Sequence, residues 1–224
     1  GRSLWNLPAR IFASTRYARV RLKRRSSHSF FPTRQDDSAD AIRWAADNGA
    51  DVINMSWGGY SESQTITDAL NYAHERGVLL VAAAGNDSTD RAFYPASSDN
   101  VISVGASDSQ RLANFSNYGT TIDLLAPGVD VLSLRAEGTD MYGDENRIVG
   151  GNYYIASGTS MASPVVAGVL GLVKAWHPDW GNEEITRQVI GSATQILDNN
   201  SFLNYYLYLT GSGRVNSWDS LNRQ

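Results

Sequence analysis

The segment from Gly158 to Pro164 reads GTSMASP and holds the residue best suited to covalent chemistry. A glycine at position 158 permits a tight turn between a strand and a helix, which exposes the hydroxyl residues that follow. Ser160 would then lie at a helix N-terminus, where free backbone N–H groups attract negative charge. These are the requirements of a serine nucleophile in acyl transfer. The alternative is structural, since Thr159 or Ser160 could be a helix N-cap.

Asn86 follows Gly85 at the end of an apolar run and is a second candidate for chemistry. An asparagine at the carboxyl end of a buried strand can present its amide to the crevice above a parallel sheet, where ligands bind. A neutral donor at that place can bind the oxyanion of a tetrahedral intermediate. The structural alternative is an Asx-turn at the strand end. The two segments together indicate an acyl-transfer site more strongly than either does alone.

Hydrophobic periodicity predicts the elements that must position these residues. Alternating apolar and basic residues predict a half-buried strand over 18–23. Apolar runs bounded by turns predict strands over 51–57, 78–84, 101–106 and 122–125. Helical spacing predicts helices from Ser38 or Asp40 to Gly49, before Gly77, over 159–176 and over 182–193. Strands that alternate with helices and are apolar on both faces predict an α/β fold, with a mostly parallel sheet and helices on both faces.

The segment 159–176 is apolar almost all round, so we expect this helix inside the core. Pro164 falls within its first turns, where a missing backbone N–H costs least. Composition changes near Asp36, because residues 1–35 carry nine Lys and Arg and no acidic residue. Residues 36–224 carry ten basic and 23 acidic residues. We therefore divide the chain into an atypical basic segment, 1–35, and an α/β domain, 36–224.

Composition excludes several classes of function. The chain has no cysteine, which excludes disulfides, thiolate metal sites and a cysteine nucleophile. No apolar run approaches the roughly 20 residues that span a bilayer, and the first 35 residues lack the apolar core of a signal peptide. A basic arm can bind nucleic acid, but neither interleaved aromatic residues nor a binding motif support this. We expect no nucleic-acid partner and no membrane partner.

Seven ordered segments between about Ala39 and Leu221 resemble the subtilisin-like serine proteases, the subtilases. They are 50–59, 81–86, 94–96, 104–106, 126–128, 157–164 and 211–216. The resemblance implies a subtilisin-like fold with Ser160 as the nucleophile and Asn86 as the oxyanion-hole side chain. It also implies that two backbone rims bind the substrate, namely Ser56, Trp57, Gly58 and Ala83, Ala84, Gly85. Trp57 is bulkier than the small aliphatic residues frequent at its place, so we expect it to narrow the substrate pocket or its edge.

The chain departs from the subtilase pattern at the rest of the triad. It has no aspartate motif of the Asp-Ser/Thr-Gly kind and no histidine motif of the His-Gly-Thr-His kind. His74 is predicted on the polar face of a helix, and His177 at the far end of the helix that begins near Ser160. His28 remains as the candidate general base, with a solvated loop residue as the alternative. We expect the N-terminal part of the fold to be truncated or altered.

A serine and an oxyanion hole without the usual base favour substrates with good leaving groups, because the amine of a peptide must be protonated as it leaves. The sequence therefore predicts a serine hydrolase of esters, with weak peptide hydrolysis, and the resemblance implies that it is extracellular. The alternative is an inactive module that binds extended peptides. We expect no cofactor. We expect a weak cation site near Tyr94. An uncovered sheet edge can pair with another strand. Either the basic arm or a second copy of the chain would cover it, and we expect a homodimer.

Overall fold

Five parallel strands form the central sheet and lie in the same order in space as in the sequence. The computed structural model describes residues 11–14, 35–136, 140, 143–196 and 210–222. Neighbouring strands are in register with Val52 opposite Leu79 and with Leu80 opposite Val101. The strands are β1 (Ile11–Ser14), β2 (Val52–Met55), β3 (Leu79–Ala83), β4 (Val101–Ser107) and β5 (Leu124–Pro127).

Helices cover both faces of this sheet. Two of them pack together on one face, and the other face is crossed by a long helix that two shorter helices contact. The first pair is α1 (Gln35–Asp47) and α2 (Gln64–His74). The second group is α3 (Thr159–Trp176), α4 (Asn182–Gly191) and α5 (Ser217–Asn222). This is the predicted α/β architecture.

Strand β3 illustrates why the apolar runs predicted buried strands. Its alternate side chains point to opposite faces, and all five residues are buried. Leu79 and Val81 belong to the core beneath α3, whereas Leu80 and Ala82 belong to the core beneath α1 and α2. A strand covered on both faces has no side on which polar residues are favoured, so its sequence is continuously apolar.

Helix α3 is buried along one face only, within the described part of the chain. Its inner face packs on the sheet through Ala162, Val166, Ala167, Val169, Leu170 and Val173. Its outer face carries Val165, Leu172 and Trp176, which are 36%, 44% and 42% exposed. The prediction of a core helix is therefore confirmed for the inner face, and the outer face is an exposed apolar stripe. This helix is also long and apolar enough to span a membrane, but half of it is buried in the fold.

A second, antiparallel sheet precedes α3 and was not predicted. Its strands are β6 (Val131–Leu134), β7 (Ile148–Val149) and β8 (Tyr153–Ala156), in the order β6-β8-β7. A 3₁₀ helix, Glu145–Arg147, precedes β7. The central strand β8 runs directly into the turn before α3 and so fixes the direction from which the chain reaches Ser160.

The N-terminal part differs from the sequence prediction. The strand predicted over 18–23 lies outside the described residues, and the strand that pairs with β2 is Ile11–Ser14. Helix α1 begins at Gln35, so the prediction that Ser38 or Asp40 caps it was wrong. Asp36 and Asp37 in its first turn complement the positive end of the helix dipole, which favours the earlier start. The domain boundary at residue 35 stays a prediction.

Candidate active site

Ser160 is the second residue of α3 and lies at the carboxyl edge of the central sheet. The turn before it requires glycine, because Gly158 has a φ of 152°, which side chains disfavour. Gly158 is the N-cap residue of α3 and makes no side-chain cap, so neither Thr159 nor Ser160 is the N-cap. The Ser160 hydroxyl instead donates to Ser56 O, at 3.2 Å, across the end of strand β2.

The backbone of Ser160 is held by the side chain of Ser56. Ser56 Oγ donates to Ser160 O at 2.9 Å, and Ser163 Oγ lies 3.1 Å from the same hydroxyl. Ser56 Oγ also accepts from Asn54 Nδ2, at 2.9 Å. The single hydroxyl of Ser56 thus connects strand β2 to the first two turns of α3.

Pro164 explains why Ser160 O accepts from a side chain. In a regular helix the N–H four residues later bonds each carbonyl, but a proline at that place has no N–H to donate. Pro164 is the sixth residue of α3, so the carbonyl that loses its partner is that of Ser160. The expectation that this proline costs little because it lies near the helix start was incomplete. The Ser56 hydroxyl supplies the missing donor.

Asn86 binds Thr159, the residue that precedes Ser160. Its Oδ1 accepts from the N–H of Thr159 at 2.8 Å and from the Thr159 hydroxyl at 3.0 Å. Its partner is 73 residues away in sequence, so the Asx-turn alternative is excluded for this oxygen. These two bonds orient the amide, and Nδ2 has no acceptor among the residues that the structure describes. A Cβ built on Gly158 would lie 3.6 Å from Nδ2, which places this donor beside the turn that precedes Ser160.

The N–H of Ser160 is a second free donor at this place. Helix α3 begins at Thr159, and the first N–H groups of any helix have no intrahelical acceptor. Thr159 N–H bonds to Asn86, and Met161 N–H bonds to Gly158 O at 3.0 Å. No described acceptor takes the N–H of Ser160 between them. Two neutral donors, Asn86 Nδ2 and Ser160 N–H, therefore lie beside the same turn, 3.6 and 3.7 Å from a Cβ built on Gly158. Two such donors can together bind a negatively charged oxygen.

Asn117 supports the loop that carries Asn86 and was missed by sequence reasoning. It is 2% exposed, its Nδ2 donates to Ala84 O at 2.8 Å, and its Oδ1 accepts from Asp87 N–H at 3.0 Å. Tyr60 donates to Asp87 Oδ2 at 2.6 Å on the outer side of the same loop. Burial raises the pKa of Tyr60, and the bond to Asp87 raises it further. Hydrogen bonds from Asn117 and Tyr60 thus hold the loop after β3 in place.

Each of the two rims predicted from the sequence makes a hydrogen bond to the turn that carries Ser160. Ser56 bonds to Ser160, and Gly85 N–H donates to the Thr159 hydroxyl at 3.2 Å. Ala83 and Ala84 are buried, whereas Gly58 is exposed. Trp57 is half-buried and packs against the core beneath α1 and α2, which is the face opposite to α3. The crevice between the rims is therefore open to solvent above Gly58.

Both described histidines lie far from Ser160. His177 follows the C-terminus of α3 and stacks on Trp180, with ring centroids 3.7 Å apart. At about 1.5 Å per residue, this puts it roughly 25 Å from Ser160 along the helix. His74 ends α2 and lines an open cavity with Asn182, which donates to Val78 O just before β3. That is the opposite edge of the sheet. His28 lies outside the described residues.

No cluster of three or more His, Asp or Glu side chains that could hold a metal occurs in the part of the chain that the structure describes. Tyr94 lines a cavity of about 260 Å³ with polar groups from the adjoining loop and from α2. Its lining includes Glu62, Thr67, Ser97 and Asp99. The weak cation site near Tyr94 stays a prediction.

Comparison with known proteins gives a consistent result. Residues 32–212 match the Subtilase family, Peptidase S8. The chain is 42% identical over 186 residues to "Thermophilic serine proteinase" of Bacillus sp. (strain AK1), covering 83% of this chain and 41% of that protein. It is 45% identical over 161 residues to "Halolysin-like extracellular serine protease Nep" of Natrialba magadii, covering 71% and 27%. The chain thus spans less than half the length of these two relatives.

Among solved structures, fervidolysin from Fervidobacterium pennivorans, described as a keratinolytic enzyme related to subtilisin, superposes with a TM-score of 0.71 at 34% identity. The match covers 85% of this chain and 29% of that chain.

Proposed function

Because the chain belongs to the subtilase family, we propose that it is a serine hydrolase in which Ser160 attacks the acyl carbon of the substrate. Asn86 Nδ2 and Ser160 N–H bind the oxygen that becomes negatively charged. The observation that carries the proposal is the orientation of Asn86, whose Oδ1 is occupied by Thr159 while Nδ2 is left for a ligand. Two neutral donors fixed before the reaction need no reorganisation when the charge forms.

The first half-reaction transfers the acyl group to the enzyme. The Ser160 oxygen bonds to the carbonyl carbon, its proton passes to a base, and the leaving group departs with a proton as the carbonyl re-forms. Water then attacks the acyl-enzyme and releases the acid and free Ser160. Ser56 O orients the hydroxyl but cannot take its proton, because a backbone carbonyl is a very weak base. A separate base is required, and His28 is our candidate, since His74 and His177 lie at distant parts of the fold.

Substrates are proposed to be esters and peptides, with esters turned over faster. An alkoxide or phenolate leaves with little help, whereas a peptide amine must be protonated as it leaves. An incomplete triad therefore slows peptide hydrolysis more than ester hydrolysis. A relative, the serine protease Nep, is described as extracellular, and we propose the same location for this chain. A homodimer and weak cation binding near Tyr94 stay predictions, which light scattering and calcium-dependent melting would test.

Labelling with a fluorophosphonate tests the proposed nucleophile directly. The reagent should modify Ser160 alone, as peptide mass spectrometry would show, and p-nitrophenyl ester hydrolysis should stop when labelling is complete. Ser160→Ala should abolish both, whereas Ser133→Ala, at an exposed serine of β6, should leave both unchanged. Ester turnover that survives Ser160→Ala would refute the mechanism. An unlabelled protein that still binds extended peptides would be the inactive module considered from the sequence.

A further inference from the structure

The outer face of helix α3 carries an apolar stripe along its whole length. Three of its large side chains, Val165, Leu172 and Trp176, are 36%, 44% and 42% exposed. The members of the stripe, all apolar and at least partly exposed, are Met161, Val165, Gly168, Leu172, Ala175 and Trp176. The intervals between positions 161, 165, 168, 172 and 175 are four, three, four and three residues. This is the heptad spacing of a helix that packs against a second helix.

No charged side chain interrupts this stripe. Lys174 is the only charged residue of α3, and its ammonium donates to Trp180 O at 2.8 Å, which holds it at the turn after the helix. Contact between water and apolar surface is unfavourable, and contiguous apolar patches on soluble proteins mark interaction sites. The stripe therefore fits the apolar face of another helix.

The order of side-chain sizes along the stripe is nearly the same from either end. A two-fold axis beside Gly168 would place Leu172 of the partner subunit level with Val165, and Trp176 of the partner subunit level with Met161. A Cβ built on Gly168 would meet nothing within 4 Å, so two helix backbones can approach closely at this position. A symmetric interface between two copies requires such a patch, because the same surface must fit itself.

The dipole of α3 favours an antiparallel arrangement of the two helices. The N–H groups of its first turn carry partial positive charge, and the carbonyls of its last turn carry partial negative charge. In an antiparallel pair the positive end of each helix lies beside the negative end of the other. The electrostatic match therefore selects the same arrangement as the side-chain sizes.

We propose that two copies of this chain dimerise by antiparallel pairing of α3 about a two-fold axis beside Gly168. This pairing uses a helix face and not the sheet edge expected from the sequence, and it does not depend on the proposed function. It places Trp176 of the partner subunit against Met161, the residue after Ser160. Each copy thus contributes a side chain beside the candidate site of the other.

The size of the interface indicates how tightly the two copies bind. Each α3 has 18 residues and is about 27 Å long, and two such helices together bury on the order of 800 Å². Standard stable interfaces bury about 1,200–2,000 Å². We therefore expect a weak dimer with a dissociation constant in the micromolar range.

Sedimentation velocity over about 1–100 µM protein tests the association, because this range spans the expected dissociation constant. The wild type should shift from a 24.4-kDa monomer to a dimer as its concentration rises. Leu172→Glu should weaken association at least about tenfold, because pairing would bury two carboxylates. Leu134→Glu, at a leucine 80% exposed on β6, is the matched control and should dimerise like the wild type. A wild type that is monomeric throughout overturns the proposal, and so does a dimer that Leu134→Glu abolishes and Leu172→Glu does not.

Cysteine cross-linking tests the geometry, since the chain has no cysteine of its own. Gly168→Cys should form a disulfide-linked dimer on oxidation with copper phenanthroline, because position 168 of both copies lies at the axis, within the Cα separation of about 4.4–6.8 Å that a disulfide spans. Trp176→Cys should stay monomeric under the same oxidation, because antiparallel pairing puts the two 176 positions roughly 22 Å apart. Cross-linking of Trp176→Cys in place of Gly168→Cys, or of neither variant at concentrations where the wild type dimerises, would overturn the antiparallel pairing.

Discussion

Ser56 and Ser160 exchange hydrogen bonds in both directions, each hydroxyl donating to the backbone carbonyl of the other residue. The pair links the end of strand β2 to the start of helix α3. One bond orients the Ser160 hydroxyl, which is the proposed nucleophile, and the other satisfies the carbonyl that Pro164 leaves without a helical donor. The position of the proposed nucleophile therefore depends on a hydrogen bond to Ser56.

The Ser56 hydroxyl should contribute to both stability and rate. Ser56→Ala removes a donor from Ser160 O and an acceptor from Asn54 Nδ2, and Asn54 Oδ1 already has no partner in the described part of the chain. Groups left unsatisfied in a buried place cost about 1–3 kcal/mol in the free energy of unfolding. Urea denaturation would measure this loss, and ester turnover should fall with it. Ser56→Thr, which keeps the hydroxyl, should restore most of both.

A double-mutant cycle would test the link between Ser56 and Pro164. Pro164→Ala supplies a backbone N–H that can bond to Ser160 O. In that background Ser56→Ala should destabilise the protein less than it does in the wild type, because the carbonyl keeps a donor. If Ser56→Ala lowers the free energy of unfolding equally in the two backgrounds, the Ser56 hydroxyl does not replace the N–H that Pro164 lacks.

Asn86→Ala should lower ester kcat by about 10²–10³ while leaving KM nearly unchanged, since the amide acts on charge that forms only in the transition state. That range is the one known for an oxyanion-hole asparagine in a subtilisin, another member of this family. Asn222→Ala, at an exposed residue of α5, is the matched control and should keep wild-type kinetics. A loss of less than threefold in Asn86→Ala would remove the side chain from the mechanism.

His28→Ala should abolish the pH-dependent part of ester turnover if His28 is the base. A histidine base gives a rate that rises between about pH 5 and 8, as the imidazole loses its proton. The variant should lose that rise, and added imidazole should restore part of the rate. His74→Ala and His177→Ala should keep the wild-type profile, because these residues lie far from Ser160. An unchanged profile in His28→Ala would leave water or another group as the base.

Asp123 should make stability depend on pH. Its partial burial raises the pKa of the carboxyl, and the hydrogen bond from Ser103 N–H offsets this only in part. The folded state then binds the proton more tightly than the unfolded state, so stability falls as pH rises from about 4 through the raised pKa. Asp123→Asn should raise the free energy of unfolding at neutral pH and lose this advantage below about pH 3. An Asp123→Asn variant whose stability changes with pH as that of the wild type does would contradict this prediction.

Sequence patterns predicted the buried strands well, because a strand that is buried on both faces is continuously apolar in sequence. The runs at 78–84 and 101–106 became Leu79–Ala83 and Val101–Ser107, and α3 has the predicted bounds. The strand predicted over 122–125 begins two residues later, since Ile122 N–H bonds to Gly119 O in a turn. Ile122 is buried all the same, so its hydrophobicity reflects packing and not strand pairing.

From the sequence, a site residue could be proposed only where its own type and its neighbours in the chain indicate a role. Ser160 and Asn86 had such a context. Asn117 lies in a loop, and its role in holding the loop after β3 comes from the backbone groups that it meets only after folding. Trp57 packs against the core beneath α1 and α2, and its expected narrowing of the pocket or its edge stays a prediction. Contacts of this kind depend on tertiary structure, which single-sequence periodicity does not record.

The crevice joins parts of the chain that are distant in sequence. Ser56 and Ser160 are separated by 104 residues, and Asn86 and Thr159 by 73. Long loops must close before such contacts are gained, so contacts of this range form late in folding. We expect Ser160 to become reactive only when the last helices have docked on the sheet. In a refolding experiment, the rate at which Ser160 becomes reactive towards a serine-directed reagent would then equal the rate at which the whole fold is completed. Partly folded chains would have no catalytic activity.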